Sequence, residues 1–493
     1  MVALFLNPDK MLFNSFDFLF FFPIAVVVFY LLKHRYRWVW LLCCSYFFYM
    51  YLEPMLLLLL WTSTLVDYYC GLKMDQHDAI KVRRRYLYLS IFTNLGLLFF
   101  FKYFVFFTVN ASEILSFFGI HVMESAAGGH SDYVKILLPI GISFYTFQTM
   151  SYSIDVYRRE IPAQRHLGKY ALFVSFFPQL VAGPIERTIR LLPQFSKEIH
   201  FDASRIKKGM IMMAWGFFLK LVVADRLGVY VDDVFYRAAD YKGLPLVLGS
   251  YFFAFQIYYD FSAYCAIAIG AANVFGYDLM QNFDRPFFFS SYRELWRKWH
   301  ISLMDWFRDY LYVPLLKNLK FSKASAVLVV FFFTGLWHGA SWTFVVWGVL
   351  CGILLITEVL TIDLRKSVLR AFGLSYDMKV IKILNWMVLF SLLVLTLVFF
   401  RSKSIGQAGI YLNNMFSLSS TGIDVYHDKV ELFLSLFLIV IVQLIHFYKG
   451  NDRIYELVWN RPRWLRWILY VGFILVMILL SVNRQNNFIY FQF

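Results

Sequence analysis

Two histidines carry the chemistry-bearing signal in this sequence. His338 lies in Thr334-Gly-Leu-Trp-His-Gly-Ala-Ser-Trp342, inside an apolar run of 38 residues from about Ala324 to about Thr361. One bilayer crossing takes roughly 17–25 residues. The run therefore predicts two helices with a break, cheapest at Gly335, Gly339 and Ser341. An ionisable side chain at a helix break in a membrane marks a candidate site; the plainer alternative is an imidazole that only hydrogen-bonds a neighbouring helix. A neutral imidazole in a dry, preorganised channel is a good general base for a hydroxyl nucleophile. Acyl transfer from a thioester to a hydroxyl needs such a base, a channel for the donor and a group that holds the oxyanion. No Ser-His-Asp constellation or nucleophile elbow is visible, and the ten histidines show no closely spaced pair of the kind zinc uses. Direct transfer assisted by His338 is favoured over covalent catalysis on a serine.

His300 belongs to the stretch from Tyr292 to Val313. At 100° per residue, Trp296, Trp299, Leu303, Trp306, Phe307 and Tyr310 share one face, and Arg297, Lys298, Asp305, Arg308 and Asp309 share the other. The pattern predicts one amphipathic helix on the cytoplasmic membrane surface, with His300 on its apolar face pointing into the protein. An interfacial histidine packed among tryptophans is the alternative. The basic face suits lipid headgroups first and an anionic donor second.

The elements that position these residues are membrane helices. Of the 493 residues, 60% are hydrophobic and 21% aromatic, and apolar runs recur along the whole chain. This predicts an all-α, polytopic membrane protein. The first run, from Met11, contains Pro23 and lacks a small-residue cleavage site, so it reads as a retained helix. The five cysteines lie in apolar segments with neither metal-ligand spacing nor a disulfide framework. The net charge of +15 comes from loops between helices and does not point to nucleic acid.

With the N-terminus outside, crossings fall near 11–32, a short pair within 38–72, 87–108, 134–153, 209–224, 244–270, the broken pair around His338, 383–400, 431–448 and 467–483. The segment from Phe176 to Pro184 is apolar but too short to cross, and reads as re-entrant or interfacial. This topology puts 36 of the 47 Lys and Arg on the cytoplasmic side and 8 outside, as the positive-inside rule requires. We expect 11–12 crossings, both termini outside, and one domain over 1–493. No internal repeat and no nucleotide-binding glycine motif is present, which counts against a pump or an inverted-repeat transporter. If the first helix of the broken pair starts at Ala324, His338 stands about 21 Å up it, past the midplane of a roughly 30 Å core.

Four stretches now carry a resemblance: Phe176-Phe-Pro-Gln-Leu-Val-Ala-Gly-Pro-Ile185, Tyr259-Asp-Phe-Ser-Ala-Tyr264, Trp296-Arg-Lys-Trp-His-Ile-Ser-Leu303 with Arg308-Asp-Tyr-Leu-Tyr312, and Gly335-Leu-Trp-His-Gly-Ala340. On these the chain resembles the bacterial membrane-bound O-acyltransferases of the alginate O-acetyltransferase type. The resemblance implies a helical fold around a central tunnel, with His338 as the catalytic histidine and His300 as the second motif histidine nearer a cytoplasmic donor entrance. Trp299, Trp337, Asp260, Tyr264, Asp305 and Arg308 become tunnel candidates. It also implies acetyl-CoA or a related thioester as donor, with no bound cofactor or metal, and an envelope or exported polysaccharide as acceptor. The setting would be the bacterial inner membrane and its lipid. Where relatives read Ser-Asp after Tyr264, this chain has Cys265-Ala266, which leaves that carboxylate's place empty or filled by Asp260.

The last six residues, Phe488-Ile-Tyr-Phe-Gln-Phe493, resemble the Phe-x-Tyr-x-x-Phe terminus of the D-alanylation relatives, where a tyrosine accepts the acyl group. The implied role for Tyr490, in the extracytoplasmic tail 484–493, is to take the acetyl group and relay it to an SGNH-type acetyltransferase. The alternative for these residues is a frayed aromatic tail. Ten extended residues span about 33 Å, enough to fold back into an outer tunnel mouth. For the whole chain the alternatives are a lipid acyltransferase and a transporter or flippase with histidines as proton relays.

Overall fold

The computed structural model describes residues 11–52, 54–119, 139–422, 424–426, 428–450, 454–482 and 488–489. Among them the fold is all helical, and the only β pairing is an isolated bridge between Phe283 and Trp299. Six helices are long and apolar enough to cross a membrane: Ile80–Phe117, Leu244–Phe275, Trp342–Ala371, Lys379–Arg401, Lys429–Lys449 and Arg463–Leu480. Phe16–Leu31 and Lys323–His338 are shorter apolar helices. The remaining expected crossings fall on His34–Leu52, Leu56–Gln76, Ile142–Arg158 and Ala203–Phe218. Helix is what lipid demands, because every backbone N–H and C=O must be satisfied within its own segment. Exposure sorts the helices: none of the apolar window of Arg463–Leu480 is buried, whereas 83% of that of Leu244–Phe275 is. Trp467, Leu479 and Phe433 lie bare, which suits a lipid-facing surface.

The chain forms two compact units, one from Ala214–Ala266 with Gln281–Phe493, the other from Val2–Met213 with Ile267–Met280. In the second, buried polar side chains join three helices. Asp67 accepts from Ser90 at 2.5 Å, from Asn94 at 2.8 and 3.0 Å and from Ser153 at 3.3 Å. The re-entrant candidate is a buried four-residue helix, Phe177–Leu180. Gly141 (φ +83°) packs where a Cβ would stand 2.7 Å from the Leu180 carbonyl oxygen.

Both candidate histidines belong to the first unit. Lys323–His338 packs along Trp342–Ala371 at a small-residue contact. A Cβ on Gly348 would lie 2.2 Å from the Phe331 carbonyl oxygen, and one on Gly335 would lie 2.3 Å from that of Phe344. Gly335 therefore serves close approach inside the helix and not the break, contrary to expectation. The break itself is residues 339–341. Gly339 is extended, and Ser341 Oγ caps the second helix by accepting from the Thr343 N–H at 3.3 Å.

Candidate active site

His338 is the last residue of its helix, about 22 Å from Lys323 along it. It is 5% exposed, His300 is 1% exposed, and their ring centroids are 6.5 Å apart. Patterning predicts His300 on a helix at the cytoplasmic surface, and the resemblance implies that it is the histidine nearer a donor entrance; in the structure the two rings share one aromatic cluster, in which His338 lines a cavity. Aromatic rings close this chamber: Phe261 at 4.7 Å and Trp337 at 5.6 Å from His300, and Trp347 and Phe400 each at 5.1 Å from His338. Burial holds the His300 imidazole far below its ordinary range, at about 3, so that ring is neutral at physiological pH.

The chamber depends on a break that periodicity missed. The stretch 292–313 is not one amphipathic helix but Tyr292–Lys298 and Ile301–Phe307, followed by a π turn at Arg308–Tyr312. At the break His300 is left-handed (φ 45°, ψ 52°), a conformation that costs a non-glycine residue about 1–2 kcal/mol. Asn282 supplies the compensation. Its carbonyl accepts from the Ile301 N–H at 3.0 Å, and its side-chain oxygen accepts from Ser302 Oγ at 2.6 Å and the Ser302 N–H at 3.3 Å. The Asn282 amide donates to Cys265 Sγ at 3.3 Å. Cys265, one of the two departures noted after Tyr264, thus orients the residue that bends the chain at His300. On the other flank, the Tyr292 N–H donates to Glu358 at 2.8 Å, tying this segment to Trp342–Ala371.

A cavity of about 20 Å³, space for about one water, lies against His338, Trp296, Trp299, Trp347 and Phe400. Trp299, singled out from sequence, lines it. The indole N–H groups of Trp296 and Trp347 are buried with no hydrogen-bond partner among the described residues. Two unsatisfied donors beside a buried imidazole are what a developing oxyanion needs. Sequence reasoning treated Trp296 as packing and passed over Trp347; an unpaired N–H is visible only in three dimensions.

The other candidates separate. Asp305 and Arg308 pair with each other at 2.7 Å on a half-exposed surface, and Arg308 also holds Asp309, so neither reaches the histidine chamber through these contacts. Asp260 is 2% exposed and bonded to Lys220 Nζ at 2.8 Å, which also binds Asp225 at 2.9 Å. It belongs to a buried charge cluster with Lys220 and Asp225. The signal was available, because Lys220 and Asp260 are ionisable residues within apolar runs. Tyr264 packs edge-on to Phe488 at 5.1 Å. Tyr490 lies outside the described residues. A third buried histidine, His446, meets the Tyr258 hydroxyl at 3.1 Å, and Tyr258 packs at 6.0 Å from Trp299.

Comparison with known proteins agrees with this architecture. The chain is 36% identical to the "Probable alginate O-acetylase" of Pseudomonas aeruginosa over 83% of this chain and 76% of that protein. It is 30% identical to the peptidoglycan O-acetyltransferase of Helicobacter pylori over 92% of this chain and 91% of that one. It is 27% identical to the teichoic acid D-alanyltransferase of Streptococcus thermophilus over 46% of this chain and 59% of that one. The profile of the MBOAT family matches residues 41–400, a span that holds both histidines, and the chain belongs to the membrane-bound O-acyltransferase family.

Proposed function

We propose that this membrane O-acetyltransferase takes an acetyl group from a cytoplasmic thioester, acetyl-CoA or a close relative, and delivers it across the inner membrane for O-acetylation of an envelope or exported polysaccharide. His338 acts as general base. It removes the phenolic proton of Tyr490 as that oxygen attacks the thioester carbonyl, and the indole N–H groups of Trp296 and Trp347 hold the oxyanion. Collapse of the tetrahedral adduct breaks the C–S bond, and the proton on His338 leaves with the thiol. His300 shapes the chamber wall. The acetyl-tyrosine then passes its acyl group to a hydroxyl of an SGNH-type partner outside, and the tyrosine regains its proton. The alginate and peptidoglycan acetylation in the relatives' names supports a polysaccharide acceptor.

The single observation that carries this reading is the buried His338, 6.5 Å from the buried His300 ring and lining a tryptophan-walled cavity. The buried setting keeps water from competing for the acyl group. Purified protein given radiolabelled acetyl-CoA should release CoA and carry label on Tyr490, both lost in His338→Ala at unchanged protein levels. Normal polysaccharide acetylation by His338→Ala would overturn the assignment of the base, and full acetylation by Tyr490→Phe would overturn the relay.

A further inference from the structure

The Lys220–Asp225–Asp260 cluster sets one ammonium against two carboxylates, all at most 4% exposed. Such a cluster is a poor stabiliser of a fold, because desolvation offsets most of the attraction. It also leaves acceptor capacity that buried donors must fill. One such donor comes from the distant end of the chain. The backbone N–H of Ile489 donates to Asp260 Oδ2 at 2.7 Å, across 229 residues of sequence. The residue before it takes up the rest of the cluster: the Phe488 ring lies 4.7 Å from Lys220 Nζ in cation–π geometry and packs on Tyr264. Phe488 and Ile489 are themselves 1% and 5% exposed. Upstream, the Arg226 guanidinium donates to the Leu480 carbonyl at 2.7 Å and the Val482 N–H to that of Leu221 at 3.0 Å.

We infer that the Lys220–Asp225–Asp260 cluster is a binding site for the C-terminal segment: it seats Phe488–Ile489 and so positions Tyr490. The inference rests on the relay role proposed for Tyr490. The helix Leu244–Phe275 gives it a register. Asp260 grips the tail, and its neighbour Phe261 packs 4.7 Å from the His300 ring. Tyr490 follows Ile489 by one peptide link, about 3.8 Å between Cα atoms. Lys220, Asp225 and Asp260 act as positioning residues, through the tail and not on the acyl group.

Amide hydrogen exchange on the full-length protein in lipid nanodiscs tests the seat directly. The Ile489 amide should exchange at least tenfold slower than in a free peptide. Protection should be lost in Asp260→Asn and in Phe488→Ala, and kept in Tyr490→Phe. Phe488→Ala changes only the tail, so it remains informative if Asp260→Asn folds poorly. In transfer assays Phe488→Ala should cut the rate of Tyr490 labelling at saturating donor at least tenfold while leaving donor KM unchanged, a split that general destabilisation does not produce. An Ile489 amide exchanging at the free-peptide rate in the native chain, or unchanged by both variants, overturns the seat. Intact protection together with full polysaccharide acetylation by Tyr490→Phe would overturn the relay and leave the seat standing.

Discussion

Gly348→Ala isolates positioning from stability. The added Cβ would stand 2.2 Å from the Phe331 carbonyl oxygen, about 1 Å short of the roughly 3.3 Å that a carbon and a carbonyl oxygen tolerate. The oxygen is backbone and the Cβ is fixed rigidly to backbone, so no flexible side chain can swing away, and the two helices must separate by about that distance. Overpacking of this kind costs about 1–3 kcal/mol, while replacing a mid-helix glycine by alanine returns about 1 kcal/mol. The net loss of stability is then about 0–2 kcal/mol. The catalytic loss is larger, because His338 closes the displaced helix and a 1 Å misplacement costs about 100-fold in rate. The assay is acetyl-CoA-dependent CoA release by purified protein, with thermal unfolding measured on the same samples. Gly352→Ala, whose Cβ would meet that of Phe331 at 3.1 Å, and Gly472→Ala, with nothing within 4 Å, form a graded control. A Gly348→Ala enzyme within threefold of the parent rate would refute the claim that this contact sets the position of His338.

Four further outcomes follow from other contacts. Asn282→Ala removes the side-chain acceptor of the Ser302 hydroxyl and N–H and weakens the brace of the left-handed His300; transfer should fall at least tenfold with a loss of about 1–3 kcal/mol in unfolding free energy. Lys220→Met strands two buried carboxylates and should cost about 3–5 kcal/mol, read as loss of detergent-resistant folded protein, with much of it recovered in Lys220→Met/Asp260→Asn. Burial raises the Glu186 carboxyl to about 8, so the folded state holds a proton there that the unfolded chain releases near its ordinary pKa of about 4.3. That contribution is complete below the unfolded pKa and is lost as pH rises through 8; Glu186→Gln should therefore gain in Tm over the parent between pH 5 and pH 8. Asp305→Ala and Arg308→Ala remove a half-exposed pair worth about 0–1 kcal/mol and should leave transfer within twofold.

The charge cluster adds a physical reason for a particular division of labour within one unit of the fold. The helix Leu244–Phe275 is among the most buried of the long apolar helices, and it touches both partners of the proposed reaction path: the tail through Asp260 and Tyr264, the histidine chamber through Phe261. Phe488 and Ile489, which meet a buried carboxylate, a cation and an aromatic wall, are held by more than exclusion from water.

Hydropathy and charge by themselves determined much of this protein. A membrane-spanning helical fold follows from apolar runs whose backbone has no other way to satisfy its hydrogen bonds in lipid, and each expected crossing contains a helix among the described residues, the start of 134–153 lying outside them. The break after His338 was legible because a 38-residue run cannot be one crossing. The burial of His300 was legible from its place among tryptophans. What only the tertiary structure decided are the contacts that reach across sequence. Periodicity predicts one helix over 292–313, yet Asn282, 18 residues before His300, draws the chain into a left-handed turn there. The two histidines meet because that turn and the close approach at Gly335 and Gly348 act together. Lys220 and Asp260, 40 residues apart, form an ion pair that no local pattern announces. Local periodicity reports which face of a segment is apolar; it does not report which distant polar group will claim a buried donor or charge, and at this site those claims set the geometry.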